Sequence, residues 1–260
     1  MTSRLAVLPR IMLAPNGARR LTRDHPALPL SIAETVEAAR AAHAEGAEAL
    51  HAHVRDEAGR HSLDAGLYRE LIAEMRRALP DMPVQITTEA AGLFGPELQR
   101  QVVREVLPEG ASAALRELWP GAGPDPEAQG FYHWAAEAGI PIQHILFDVA
   151  DARRFVELVT RGALPGPLQC IFVLGAYAPP RMAQPADLLP FLSVLAPLGA
   201  AVDWAVCAFG RNEAACLREA DRRGGKLRIG FENNIHRPDG TPAEDNAAQL
   251  RALVARLGSD

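Results

Sequence analysis

The sequence predicts a (β/α)8 TIM barrel of the α/β class. Short apolar segments alternate with longer amphipathic ones along the whole chain, the alternation repeats eight times, and 260 residues is a common length for one such barrel. We expect a single barrel domain over residues 1–260, without a linker or a low-complexity tract. An open doubly wound sheet is the competing topology. It would favour a glycine-rich fingerprint after the first strand, where PNGARR stands instead.

The first strand is RIMLA (10–14), running out to Asn16. The first helix, SIAETVEAARAAHAEG, has Ser31 as N-cap, Glu34 three residues on to complete a capping box, and Gly46 past its end. The second strand is ALHAHV (49–54), the third VQITT (84–88) and the fourth ASAAL (111–115). IQHILF (142–147), LQCIFVL (168–174), DWAVCAF (203–209) and KLRIGF (226–231) complete the set. The later helices begin near Asp64, Pro96, Asp125, Asp151, Pro185, Asn212 and Thr241. LWPGAGPDPEAQG (118–130) is a Pro/Gly-rich loop that either covers a site or serves as a long connection.

A net charge of −5 with no Lys/Arg cluster argues against nucleic acid as a partner. No apolar run approaches the length of a membrane span. The N-terminus, MTSRLAVLPRIML, is interrupted by Pro9 and Arg10 and lacks a clear cleavage site, so a cytoplasmic protein is expected. Cys170, Cys207 and Cys216 are far apart and read as reduced thiols.

Barrel enzymes gather their chemistry at the C-terminal ends of the strands. Polar residues accumulate there in this chain. Alternation along a strand puts His51 and His53 on one face. Gln85, Thr87 and Glu89 share another, as do Ser112 with Arg116 and Arg228 with Glu232. Two imidazoles and the Glu232 carboxylate make a three-donor set that leaves one position open, as catalytic Zn²⁺ requires; Mn²⁺, Fe²⁺ and Co²⁺ also suit it. Hydrogen-bonded core histidines are the alternative. Asp56 either orients a ligand histidine from behind or caps the turn before AGR. Arg228 either grips a substrate carboxylate or forms a structural ion pair. Glu89 is either a general base or a satisfied carboxylate at the start of a helix. His144 is expected in the core and His61 in a surface turn.

The motifs NGARR, EGAEALHAHVRDEAGRHSLD, QITTEA, FVLG, CAFGRNE and GGKLRIGFENNIHRPDGTPAEDNAAQL together resemble the β-keto acid cleavage enzyme family, typified by 3-keto-5-aminohexanoate cleavage enzyme. The resemblance covers nearly the whole chain. It implies a zinc-dependent, homo-oligomeric barrel, a tetramer or dimer. Such an enzyme condenses a β-keto acid with acetyl-CoA to give acetoacetate and a new acyl-CoA through a metal-stabilised enolate. It also implies His51, His53 and Glu232 as ligands, Arg228 in the catalytic network, and Thr87, Thr88 and Ser112 along the substrate pocket. Asn16 and Arg116 are further expected substrate contacts. The family's E-D-N ending reads here Glu232, Asn233, Asn234, and Gln143 aligns with its fifth-strand glutamate. Glu89 stands where many relatives have glycine. Glu89 and Asn233 therefore join Arg228 as the expected catalytic set: either Glu89 has taken over as base, or this branch handles a different keto acid. An amidohydrolase-type hydrolase and a non-catalytic metal or small-molecule binding barrel are the alternatives.

Overall fold

The structure, a computed structural model, describes residues 3–176 and 180–258. The chain runs β1 (Ile11–Leu13), α1 (Ile32–Ala44), β2 (Ala49–Ala52), β3 (Val54–Arg55), β4 (His61–Ser62), α2 (Ala65–Ala78), β5 (Val84–Thr87), α3 (Pro96–Val106) and β6 (Gly110–Ala114). It continues through α4 (Leu115–Leu118), α5 (Pro126–Glu137), β7 (Ile142–Leu146), α6 (Val149–Thr160), β8 (Leu168–Leu174), α7 (Leu188–Leu195), β9 (Val202–Ala208), α8 (Glu213–Arg222), β10 (Lys226–Ile229) and α9 (Asn246–Leu257). Eight strands close in the order β1-β10-β9-β8-β7-β6-β5-β2, and β1 pairs in parallel with β2 to seal the ring. The predicted barrel is the observed one.

The capping box acts as read for α1, and the helices expected near Asp64 and Asp125 start there. Ser31 and Glu34 form a reciprocal capping box, and Asp64 and Asp125 accept from the third backbone N–H of their helices. Two starts shift. Asp148, not Asp151, caps α6, and Asp151 supplies the N–H that it receives. The last helix begins after its cap Asp245 and not near Thr241, because 241–243 fold back so that Pro242 bridges His236 and Ala243 N–H donates to Ile235.

The second strand is shorter than its apolar pattern suggests. It stops at Ala52, and β3 with β4 forms a separate antiparallel hairpin. The Asp56 carboxylate holds the turn by accepting from the N–H groups of Ala58 and Arg60. At the other end of the barrel the N-terminal segment forms the plug. Leu5 packs with Met12 and Ala49, Leu8 packs with Ile171 and Ala205, and Gln169 donates to the Leu5 carbonyl. With that end filled, the open end lies at the strand C-termini, where the polar residues sit.

Candidate metal centre and active site

Three donor atoms converge at the ends of β2 and β10. His51 Nε2 lies 3.2 Å from His53 Nε2, and each is 3.4 Å from Glu232 Oε2. The imidazoles are buried, and Glu232 is 9% exposed. Nitrogen and oxygen ligands at zinc bond lengths near 2.0–2.1 Å on tetrahedral directions stand about 3.3 Å apart, so the cluster already has the spacing of a bound ion.

The protonation states agree with the spacing. His51 Nδ1 pairs with Gln85 Oε1 at 2.8 Å, and Gln85 Nε2 in turn donates to Gln143 Oε1 at 3.2 Å. That relay makes Nδ1 the protonated nitrogen and leaves the Nε2 lone pair facing the cluster. Burial, followed by the Arg228 charge, pushes the His51 imidazole down to about 3 and keeps it neutral. For Glu232 burial works against ionisation, but the Arg228 charge leads the causes that outweigh it, and the carboxyl is held well below its usual range. A shared proton or a cation relieves the repulsion between these donors, and a divalent cation satisfies all three at once. The residues fit a divalent metal.

The surrounding chain holds each ligand in place. Asn16 Nδ2 donates to the His53 carbonyl at 3.1 Å. Gly17 has a left-handed φ of +66°, and a Cβ there would lie 2.6 Å from Glu232 Cγ, so the glycine of NGARR makes room for the ligand. Gly230, at φ +144°, lets β10 pass the Ala14 carbonyl on the way to Glu232. Arg228 Nη2 donates to Glu232 Oε1 at 3.1 Å and contacts Cys207 Sγ at 3.4 Å. The guanidinium thus anchors Glu232 through one nitrogen, while Nε and Nη1 are buried without a hydrogen-bond partner among the described residues.

A cavity of about 410 Å³ opens over this cluster, lined by His51, Thr87, Glu89, Arg228, Glu232 and Asn233 among others. Glu89 Oε2 lies 4.0 Å from His53 Nδ1, and Arg19 approaches the other oxygen at 3.8 Å. Thr87 Oγ1 accepts from the Glu89 N–H, which turns the loop toward the cavity.

Four expected contacts fall elsewhere. Asp56 is not behind a histidine: its carboxylate is used by the β3–β4 turn and Arg60. Thr88 turns its hydroxyl to the Ser112 carbonyl, and Ser112 is fully buried; neither lines the cavity. Asn16 holds backbone instead of facing substrate. Arg116 does reach the cavity rim, but from α4 and not from the strand, because β6 ends at Ala114. There it is paired with Asp148 and Asp151.

Sequence reasoning missed three contributors. His61, expected at the surface, is buried with its ring 5.2 Å from that of His53, and its Nε2 donates to the Glu89 carbonyl. Glu117 accepts from the Ala90 N–H at 3.0 Å and from Gln99 Nε2 at 2.9 Å, which fixes the loop carrying Glu89. Gln143, read only as a lost glutamate, is the far end of the His51 relay. His144 is core as expected, packed between the Tyr132 and Phe155 rings. The 118–130 loop forms part of a separate cavity against α6, with the Trp119 indole bonded to the Gly123 carbonyl.

Two histidines at the end of β2 and a carboxylate just past β10, together at the mouth of a parallel barrel, define a metal-dependent barrel enzyme. A family model described as beta-keto acid cleavage enzyme matches residues 10–259. The chain belongs to that family, whose members break a carbon–carbon bond by acyl transfer. It is 28% identical over 247 residues to the 3-keto-5-aminohexanoate cleavage enzyme of Fusobacterium nucleatum, a match covering 92% of this chain and 88% of that protein. It is 28% identical to the 3-oxoadipate:acetyl-CoA acetyltransferase of Cupriavidus necator, covering 95% and 89%. Among solved structures, a binary complex of ObcA with oxaloacetate superimposes with a TM-score of 0.68 at 14% identity, a likeness of fold. It covers 89% of this chain, which spans 64% of that one. The family match leaves no ground for the hydrolase alternative, and His144, facing the helices, could not serve as a fifth-strand ligand.

Proposed function

We propose that this chain is a zinc-dependent β-keto acid cleavage enzyme that converts a β-keto acid and acetyl-CoA into acetoacetate and a new acyl-CoA. The convergence of His51 Nε2, His53 Nε2 and Glu232 Oε2 on one point of the cavity floor carries the reading. Two imidazoles and a carboxylate at tetrahedral spacing favour zinc over the harder divalent ions. The names of the relatives support the reaction class and acetyl-CoA as acyl donor. The enzyme acts as one barrel domain, residues 1–260, in the cytoplasm and as a homo-oligomer; no described helix is long and apolar enough to cross a membrane.

A divalent cation at this site supplies Lewis acidity toward the ketone and carboxylate oxygens of the bound acid. Arg228 offers Nε and Nη1 to the substrate carboxylate. Glu89 takes one proton from the carbon between ketone and carboxylate. That carbon bonds to the acetyl carbonyl carbon of acetyl-CoA, and the CoA thiolate leaves. The thiolate then attacks the substrate's former ketone carbon. The bond from that carbon to the central carbon breaks, the electron pair stays on the central carbon, and Glu89 returns its proton there. Asn233 can donate from its amide to a substrate oxygen but cannot carry the proton, which leaves that task to Glu89.

Replacing Glu89 by glutamine tests the assignment. Turnover should fall by about 10²–10⁴-fold, the range for a lost general base, while bound zinc per chain stays unchanged. Near-normal turnover would remove Glu89 from the mechanism.

A further inference from the structure

We infer that the variable side chain of the β-keto acid is uncharged and aliphatic, an inference that rests on the proposed function. The cavity has two unlike walls. One carries His51, Arg228 and Glu232; the other, on β6 to β9, is built from Ala114, Ile145 and Val173 with Phe147 and Phe209 packed against them. Arg116 and Asp148 flank this wall, the Arg116 guanidinium lying 5.2 Å from the Phe147 ring centroid, and they are paired with each other.

The charged groups at the rim are already committed. Arg116 is paired with Asp148 and Asp151, Arg181 with Asp187 at 2.8 Å, and Arg19 approaches Glu89 at 3.8 Å. Glu117 accepts from backbone and from Gln99. Arg228 lies on the opposite, polar wall, where the acid's own carboxylate belongs. A second carboxylate or an ammonium at the far end of the substrate would be desolvated against Ile145 and Val173 and would have to compete for charged neighbours that are already paired, a costly placement. A methyl end in the same place gains apolar burial. Ile145 and Val173 are thus the specificity-determining positions.

Calorimetric titration of the zinc-loaded protein, without acetyl-CoA, separates the cases with three six-carbon acids: 3-oxohexanoate, 3-oxoadipate and 6-amino-3-oxohexanoate. The expected result is that 3-oxohexanoate binds at least about tenfold more tightly than either charged acid. Equal or tighter binding of a charged acid would overturn the inference. Binding of none of the three would remove the keto acid reading itself, and the inference with it. Val173→Lys, provided its circular dichroism matches the parent, should shift preference toward 3-oxoadipate by about tenfold, and an unchanged ranking would count against the wall. If that variant does not fold, the ranking in the parent protein decides.

Discussion

The wall of the cavity that carries His51, Arg228 and Glu232 and the wall that carries Ala114, Ile145 and Val173 face the same space but are held in place by different physics. On the polar side nearly every group is oriented by a hydrogen bond from behind: Gln143 through Gln85 to His51, Asn16 to the His53 backbone, Arg228 to Glu232. On the apolar side the residues are held by packing alone, as one cluster continuous with Ile171 and Cys207 inside the barrel. Removing a group from the first wall should change metal affinity and chemistry. Removing one from the second should change stability and substrate choice.

The largest effect should come from a ligand. His53→Ala should lower zinc affinity by more than the about 10–100-fold that outer partners cost, read as zinc retained after dialysis against a graded chelator. The next test reaches one layer back. Gln85→Leu removes the group that fixes the His51 tautomer without touching the metal, and an affinity loss of about 10–100-fold is expected. Zinc binding that is unaffected by this change would show that the relay is not what orients His51.

Ile145→Ala probes the apolar wall. It should cost stability near the lower end of the about 2–5 kcal/mol typical of such truncations, since the side chain borders the cavity, and leave zinc affinity unaltered. A urea melt and the same chelator series give the two readings. The smallest effect should come from behind that wall. Burial pushes the His144 imidazole down to about 3 from an ordinary 6.5, so the unfolded chain takes up a proton there before the folded one does. Stability from this group is complete above pH 6.5 and is lost as pH falls toward 3. His144→Leu should therefore show a smaller drop in urea midpoint between pH 7 and pH 4.5 than the parent, with His51 and His61 still contributing the same sign.

The barrel was legible because strand and helix periods differ, and that contrast survives eight repetitions. His51 and His53 were legible for the same reason: a period of two puts them on one face whatever the strand's partners. What stayed hidden depended on contacts distant in sequence or on one-residue boundaries. Gln85 meets Gln143 across 58 positions, so no local pattern announces the relay. Arg116 was assigned to a strand that ends two residues earlier, where the chain turns into α4. Asp56 has the same spacing to Arg60 in a hairpin turn as in an open loop, and only the pairing of Val54 with Ser62 distinguishes them. His61 reads as a surface residue because nothing local in the sequence marks the hairpin that folds it back over His53.

The proposed cation is held by three protein donors, from His51, His53 and Glu232. Crystals of the zinc-loaded protein, with anomalous differences collected at the zinc edge, test it most directly. A single peak within bonding distance of His51 Nε2, His53 Nε2 and the Glu232 carboxylate is predicted. A zinc peak elsewhere, or an ordered map in which those side chains turn away from one another, would contradict it.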